Sequence, residues 1–382
     1  MHDDETKAGI SKRNYMKIYF AITLALLLVV SYNMYQSTTI NSIISHKVAN
    51  AKEAARAAEM QIVVIEDSKC SDCFKPGQTI TSVRNANVNI TKEEFLGLDS
   101  KEARDIISKY NIDKVPAILL FGEVDKPRLS NFEKRDDAMV FTGIMPPYTD
   151  LKSNKVEGRV SSIILKDSSC TKCIDLEKSL DELKKSGISI VSTDVIEKRS
   201  DKGKEMIKDY SIDIIPTLIL SKDLAAYNSP IVRNWKLVGT VEDDGSYVTR
   251  MKTPVYINLT MNKMVGLVQA TFVVDESCEE CYDPKTFHIP VLGGLGVEIE
   301  KNNTVDVAGI EGKSLVEKYR IEKLPTVLLK GDVDAYPVLV NAWKNVGTVE
   351  SDGTYVFRSV ELAKEPYKDV KANKVVELEK NQ

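Results

Sequence analysis

The 382-residue sequence has only three histidines, His2, His46 and His288, and only two tryptophans, Trp235 and Trp343. Histidines so few and so far apart exclude a His-rich metal centre and a His-dependent hydrolase as the organising chemistry. A basic excess is missing too, since 52 Lys and Arg stand against 56 Asp and Glu for a net charge of −4. Phosphate neutralisation needs clustered positive charge, so nucleic acid is set aside as a partner. What is present, 43% apolar and 28% charged residues, is ordinary for folded protein. The length predicts two or three domains. With so little histidine, six cysteines are left to carry any chemistry.

Near the N-terminus, Ile18 to Gln36 contains no charged residue and is dense in Leu, Val, Ile and Ala. About 19 residues at 1.5 Å each just span a hydrocarbon core of about 30 Å. Tyr15, Tyr19, Tyr32 and Tyr35 fall near its two ends, where amphipathic rings favour the headgroup level. A cleaved signal peptide is the alternative, but the residues after this run, SYNMYQSTT, do not resemble a cleavage site. Lys12, Arg13 and Lys17 crowd the front flank, and no Lys or Arg follows until Lys47. The positive-inside bias therefore predicts a single-pass cell-membrane protein with residues 1–17 as a cytoplasmic tail, 18–36 as an anchor and the rest extracytoplasmic. Residues 37–58 are Ala-rich and predict a helical stalk.

All six cysteines fall into Cys-x-x-Cys pairs: Cys70 with Cys73, Cys170 with Cys173, and Cys278 with Cys281. Each pair follows a β-rich run ending in an aspartate three residues before the first cysteine: Asp67, Asp167 and Asp275. Downstream come the related phrases KYNIDKVPAILL, DYSIDIIPTLIL and KYRIEKLPTVLL. The intervals from first cysteine to proline are 46, 46 and 47 residues. Two landmarks held at one spacing three times mark an internal repeat. Asp244-Gly245 and Asp352-Gly353 predict hairpins in the second and third copies, while the first lacks this signal and its hairpin looks degenerate. A closing phrase at Pro147, Pro254 and Pro366 sets boundaries, giving modules at 59–157, 158–265 and 266–382. Each copy reads strand, helix, strand, helix, strand, hairpin, an α/β unit with a mixed sheet flanked by helices. Pro76-Gly77 and Pro284 are expected to shorten or displace the first helix of copies one and three.

A Cys-x-x-Cys just after a first strand, followed some 45 residues later by a β-branched residue, Pro and Thr at the head of another strand, resembles the thioredoxin superfamily. Several such modules in one chain resemble protein disulfide isomerases. The resemblance implies three tandem thioredoxin-like domains and cis bonds at Val115-Pro116, Ile215-Pro216 and Leu324-Pro325, where substrate backbone would dock beside each cysteine pair. No tryptophan precedes any pair and none encloses Gly-Pro, both departures from the thioredoxin pattern.

With its first cysteine at a helix N-terminus, such a pair would have a stabilised thiolate. Cys70, Cys170 and Cys278 would then be nucleophiles, and Cys73, Cys173 and Cys281 the resolving partners. Lys172 is expected to favour a thiolate at Cys170, and Glu279 with Glu280 to oppose one at Cys278, making the middle module the strongest oxidant. A bond between near neighbours adds little loop-closure stability, which favours redox use over a structural role. A tetrahedral Cys₄ zinc site would need two pairs, and three do not divide that way, so no metal or cofactor is expected. The leading expectation is a thiol–disulfide oxidoreductase or isomerase acting on cysteines of secreted or membrane proteins, with an unidentified redox partner. The alternative is a non-catalytic binding, chaperone or scaffold protein with structural disulfides.

Overall fold

A computed structural model describes residues 12–377; the expected cytoplasmic tail therefore lies outside the described residues up to position 11. The first element among the described residues is one helix, Lys12–Ala55, in which the expected anchor and stalk are continuous. From Met16 to Ala55 this helix is long and apolar enough to cross a membrane. Its hydroxyls bond to its own backbone, Thr23 to the Tyr19 carbonyl at 2.9 Å and Ser31 to the Leu27 carbonyl at 2.7 Å. At its end, Glu53 takes Lys126 at 2.9 Å and Arg56 takes Glu123 at 2.6 Å, which ties the stalk to the first module.

Contacts group the chain into two compact units, one holding the helix and first module, the other holding the second and third modules. Each module is built on a five-stranded mixed sheet. In the first, Ala58–Glu66 lies inside the sheet, parallel to the edge strand Val88–Gly97 and antiparallel to the central Ala117–Gly122, and the hairpin Phe132–Arg135 with Ala138–Phe141 completes the far edge. The sheets that hold Val160–Lys166 and Leu267–Val274 in the corresponding place repeat this order. Strand alternation sends successive side chains to opposite faces. Met60, Ile62 and Val64 thus pack with Ile80 and Val83 of the helix Gly77–Arg84, while Ile65 and Leu119 pack with Ala103 near the helix Lys101–Lys109. Each sheet is buried by helices on both faces.

The degenerate hairpin of the first copy does form, turning at Asp136 and Asp137. It also keeps the tertiary bond of its siblings: the hydroxyls of Tyr110, Tyr210 and Tyr319 donate to Asp137, Asp244 and Asp352 at 2.6, 2.8 and 2.9 Å. Arginines from the hairpins cap the carbonyls at the end of the same helices, Arg250 on Tyr210 and Arg358 on Tyr319. In the first module Arg135 does this from the opposite hairpin strand. The expectation for Pro284 is corrected. It sits at the first helical position of Pro284–Gly294, where its missing N–H would be unpaired anyway, and that helix is 11 residues against 10 in the middle copy. Only the first copy is shortened, to 8 residues.

Trp235 and Trp343 are buried packing residues whose indole N–H groups donate to the carbonyls of Thr240 and Thr348 at 3.0 and 3.3 Å. Gly347 permits this closeness, because a Cβ there would lie 2.4 Å from the Trp343 indole nitrogen. Replacing Trp343 with alanine empties the centre of the third core and is expected to cost roughly 3–5 kcal/mol. A urea titration of the full chain followed by circular dichroism checks this; a midpoint shift no larger than that of an exposed-site control contradicts it.

Candidate redox site

Every first strand ends in the aspartate that shapes the cysteine turn. Its backbone carbonyl accepts the N–H of the first cysteine, Asp67 to Cys70 at 3.0 Å, Asp167 to Cys170 at 2.9 Å and Asp275 to Cys278 at 3.0 Å. Its carboxylate accepts the amide of the residue just before that cysteine: Lys69, Ser169 or Ser277. The carboxylate's other oxygen holds a different partner in each copy. Thr149 donates to Asp67 at 2.8 Å, Lys198 pairs with Asp167 at 2.7 Å, and Lys368 pairs with Asp275 at 2.5 Å. Lys198 follows the second strand and Lys368 lies on the closing strand, so the cation reaches one carboxylate from two different places in the fold. Lys198 holds the Asp167 carboxyl down at about 2, and Lys368 likewise lowers that of Asp275. The Thr149 hydroxyl also lies 4.0 Å from the Cys73 sulfur, placing a hydroxyl between carboxylate and cysteine in the first module.

Each pair is closed as a disulfide. The pairs do not sit at helix N-termini. Regular helix begins only at Gly77, Leu176 and Pro284, after the second cysteine. A dipole effect that fades within one turn therefore contributes little at Cys70, Cys170 or Cys278. Lys172 is also engaged, its ammonium 3.3 Å from Glu298, which weakens the expected push toward a Cys170 thiolate.

The bonds Val115-Pro116, Ile215-Pro216 and Leu324-Pro325 are cis. The prolines of the first two line cavities with their cysteine pairs, Pro116 with Cys70 and Cys73 in about 370 Å³, and Pro216 with Cys170 and Cys173 in about 230 Å³. The residues before them are brought elsewhere: Val115, Ile215 and Leu324 are fully buried and laddered to the closing strand opposite Thr149, Ile257 and Lys368.

Access differs between copies. Cys70 and Cys73 are 5% and 3% exposed and Pro116 is buried. Cys170, Cys173 and Pro216 are all half-buried. In the third module the cysteines are half-buried, but Pro325 is buried and the Tyr282 hydroxyl donates to its carbonyl at 3.0 Å. Burial pushes that phenol upward from its ordinary value, so it stays a protonated donor. His288, seven residues after Cys281, is a core residue packed on Phe287 and Phe357 at 4.9 and 4.7 Å between ring centres. Desolvation lowers it to about 4 and keeps it neutral.

Lys198, Thr149 and Lys368 escaped the sequence reading. The signal was present in the repeat itself: Leu98, Lys198 and Val307 share one position, Thr149, Ile257 and Lys368 share another, and each copy has a polar residue at only one of the two.

Strand order, a cysteine pair after the first strand and a cis-proline heading the third define three thioredoxin-like modules in tandem, each with one disulfide. No family model matches the sequence, and no curated protein matches it significantly. Among solved structures it is similar to ERdj5 crystal form II, at 13% identity and TM-score 0.15 over 75% of this chain and 39% of that one. It is also similar to human ERp44, at 10% identity and TM-score 0.14 over 82% and 95%, and to a protein disulfide oxidoreductase from Aeropyrum pernix, at 14% and 0.14 over 46% and 78%. The chain thus spans about two fifths of the ERdj5 chain it matches. Whole-chain superposition is poor, and the module fold stands on this chain's own strand order.

The Asp167–Lys198 pair is 8% and 14% exposed, so its loss leaves a buried charge. Lys198→Met is expected to cost roughly 3–5 kcal/mol at pH 7. Because the folded Asp167 pKa lies below its unfolded value, the pair's contribution is complete above the unfolded pKa and is lost as pH falls through about 2. The gap between wild type and variant should therefore narrow on acidification, as read from urea midpoints at pH 7, 4 and 2.5. A gap independent of pH would show that the pair is not its source.

Proposed function

We propose that the chain is a membrane-anchored, extracytoplasmic thiol–disulfide oxidoreductase or isomerase that acts on cysteines of secreted or membrane proteins, with Cys170 and Cys173 as its substrate-facing pair. The observation that carries this is the middle module's open site, where both cysteines and Pro216 are half-exposed and line one cavity. The long apolar helix, whose uncharged run Ile18 to Gln36 has Lys12, Arg13 and Lys17 in front of it and no Lys or Arg behind it until Lys47, supports the anchor and its orientation.

In the oxidising direction, a substrate thiolate attacks the Cys170 sulfur. The Cys170–Cys173 bond breaks, a substrate–Cys170 disulfide forms, and Cys173 leaves as a thiolate. A second substrate thiolate then attacks the substrate sulfur of that mixed disulfide, forming the substrate disulfide and releasing Cys170 as a thiolate. Two electrons pass to the cysteine pair, and the two protons given up by the substrate thiols are taken up by the two new thiolates. Reduction is the same sequence reversed, starting from the Cys170 thiolate. In this scheme the ring of Pro216 borders the approaching substrate, while Ile215 acts from below by holding the proline in its ladder.

The flanking pairs, Cys70 with Cys73 and Cys278 with Cys281, have the same chemistry under tighter cover. Burial of the first and the Tyr282 cap on the third support a mixed reading, in which these modules lean toward binding or scaffolding with slowly exchanging disulfides. Their prolines, Pro116 and Pro325, with Val115 and Leu324 before them, would then shape the cysteine turns.

Cys170→Ser should lower the full chain's insulin reduction and its oxidation of a reduced substrate by about tenfold or more, and Cys70→Ser by less than about twofold. Equal losses in both variants would contradict a middle substrate-facing pair, and activity untouched by Cys70→Ser, Cys170→Ser and Cys278→Ser alike would overturn the redox reading.

A further inference from the structure

Beside the middle redox site lies a second, larger cleft of about 580 Å³, walled by Leu218, Ile231, Trp235, Val238 and Met251. It shares Ile174, Leu176 and Pro216 with the cavity holding Cys170 and Cys173, so the two are adjacent. Its size is that of a ligand site. The repeat explains why it is open here and filled elsewhere. After the second cysteine stand Phe74, Ile174 and Tyr282; on the inner hairpin strand stand Phe141, Thr249 and Phe357; four residues past the helix-capping aspartates Asp175 and Asp283 stand Ser179 and Phe287. The middle copy has the non-aromatic residue at every one of these positions.

In the siblings those rings fill the space with one another. Phe74 stacks on Phe141 at 6.0 Å, Tyr282 meets Phe287 edge-on at 5.8 Å, and Phe357 meets Trp343 at 6.2 Å. In the middle module Trp235 keeps its Tyr247 partner at 5.2 Å, but the residue answering to Phe357 is Thr249. The Thr249 hydroxyl is occupied by the Leu218 backbone, accepting its N–H at 2.9 Å, so it presents no polar demand to an incoming group.

We propose that this cleft is a specificity pocket for an aromatic side chain of the substrate polypeptide, close in sequence to the cysteine that exchanges with Cys170. The occupant has the chemistry of the rings the sibling modules supply from within, and the wall shared with the cysteine cavity places it on the chain being oxidised or reduced. The pocket deepens the oxidoreductase reading and rests on it for the identity of the substrate.

The test uses the full chain in lipid nanodiscs and synthetic dithiol peptides, identical except for Trp or Ala placed one to five residues from the first cysteine. For at least one spacing, kcat/KM should be higher for Trp by about tenfold or more, the lower end of what an apolar group supplies in a hydrophobic pocket. Ser179→Phe, which installs the third module's ring, should bring that ratio close to one. Met251→Asp, at the exposed rim, should also lower it and serves if the first variant does not fold. A ratio near one at every spacing in wild type, or an undiminished ratio in the folded variants, overturns the pocket. The same peptides with serine for cysteine separate the two readings by fluorescence anisotropy. Trp-dependent binding without any peptide oxidation keeps the pocket and sinks the exchange reading. Oxidation with no Trp preference and no such binding does the reverse.

Discussion

One carboxylate at the end of each first strand determines where the cysteine turn can go. Asp67, Asp167 and Asp275 each accept the first cysteine's amide on the backbone carbonyl and the preceding amide on the side chain. Those N–H groups would otherwise be left at the mouth of a cavity with few partners, an arrangement that costs on the order of 1–3 kcal/mol per group. The carboxylate then has to be held in turn. A lysine does this in the second and third modules and a threonine in the first, so the local charge beside the disulfide is neutralised in the second and third copies and not in the first. A carboxylate without an ammonium disfavours a nearby thiolate. The first module, with its cysteines also buried, is thus the one least disposed to open its disulfide.

The same framework is closed off in different ways. The first module buries its cysteines and proline, and the third lays Tyr282 over Pro325. The residue just after the second cysteine packs differently in these two copies: Phe74 stacks on Phe141, and Tyr282 meets Phe287 while its hydroxyl holds the Pro325 carbonyl. Ile174 is too small to do either. A single position therefore couples packing to access.

What could be read from the sequence was mostly local or repeated. The strands, both helices of the middle module, the hairpins and the three cis-proline landmarks rest on short-range pattern, and three copies made each pattern visible above chance. The helix-dipole expectation failed because a Cys-x-x-Cys spacing says nothing about where regular helix begins. That start is set by Asp175 and Asp283, which accept the amides of Glu177 and Lys285 two residues on. Pro284 was misjudged for the same reason, as its effect depends on whether it falls first in the helix or inside it. The partners of the aspartates lie 31 and 93 residues from them in sequence, and only the fold brings Lys198 and Lys368 to the turn. Long-range ion pairs leave no periodic trace. The alternation of polar and apolar residues at two positions across the repeat was their only mark.

A different set of repeat positions, those that carry rings in the first and third copies, bears on why the middle module is open. Filling a core with rings is stabilising, and removing a large side chain from such a place costs about 2–5 kcal/mol when the space is not reoccupied. A chain carrying two filled copies of one design already contains the solution for the third. The middle copy departs from it at Ile174, Ser179 and Thr249 while keeping Trp235, the hairpin, the tyrosine bond to Asp244 and the aspartate–lysine pair. Everything that holds the module together is retained, and what is given up lies beside the disulfide. Stability surrendered at one face of an otherwise intact core is the pattern expected where a surface must receive a partner.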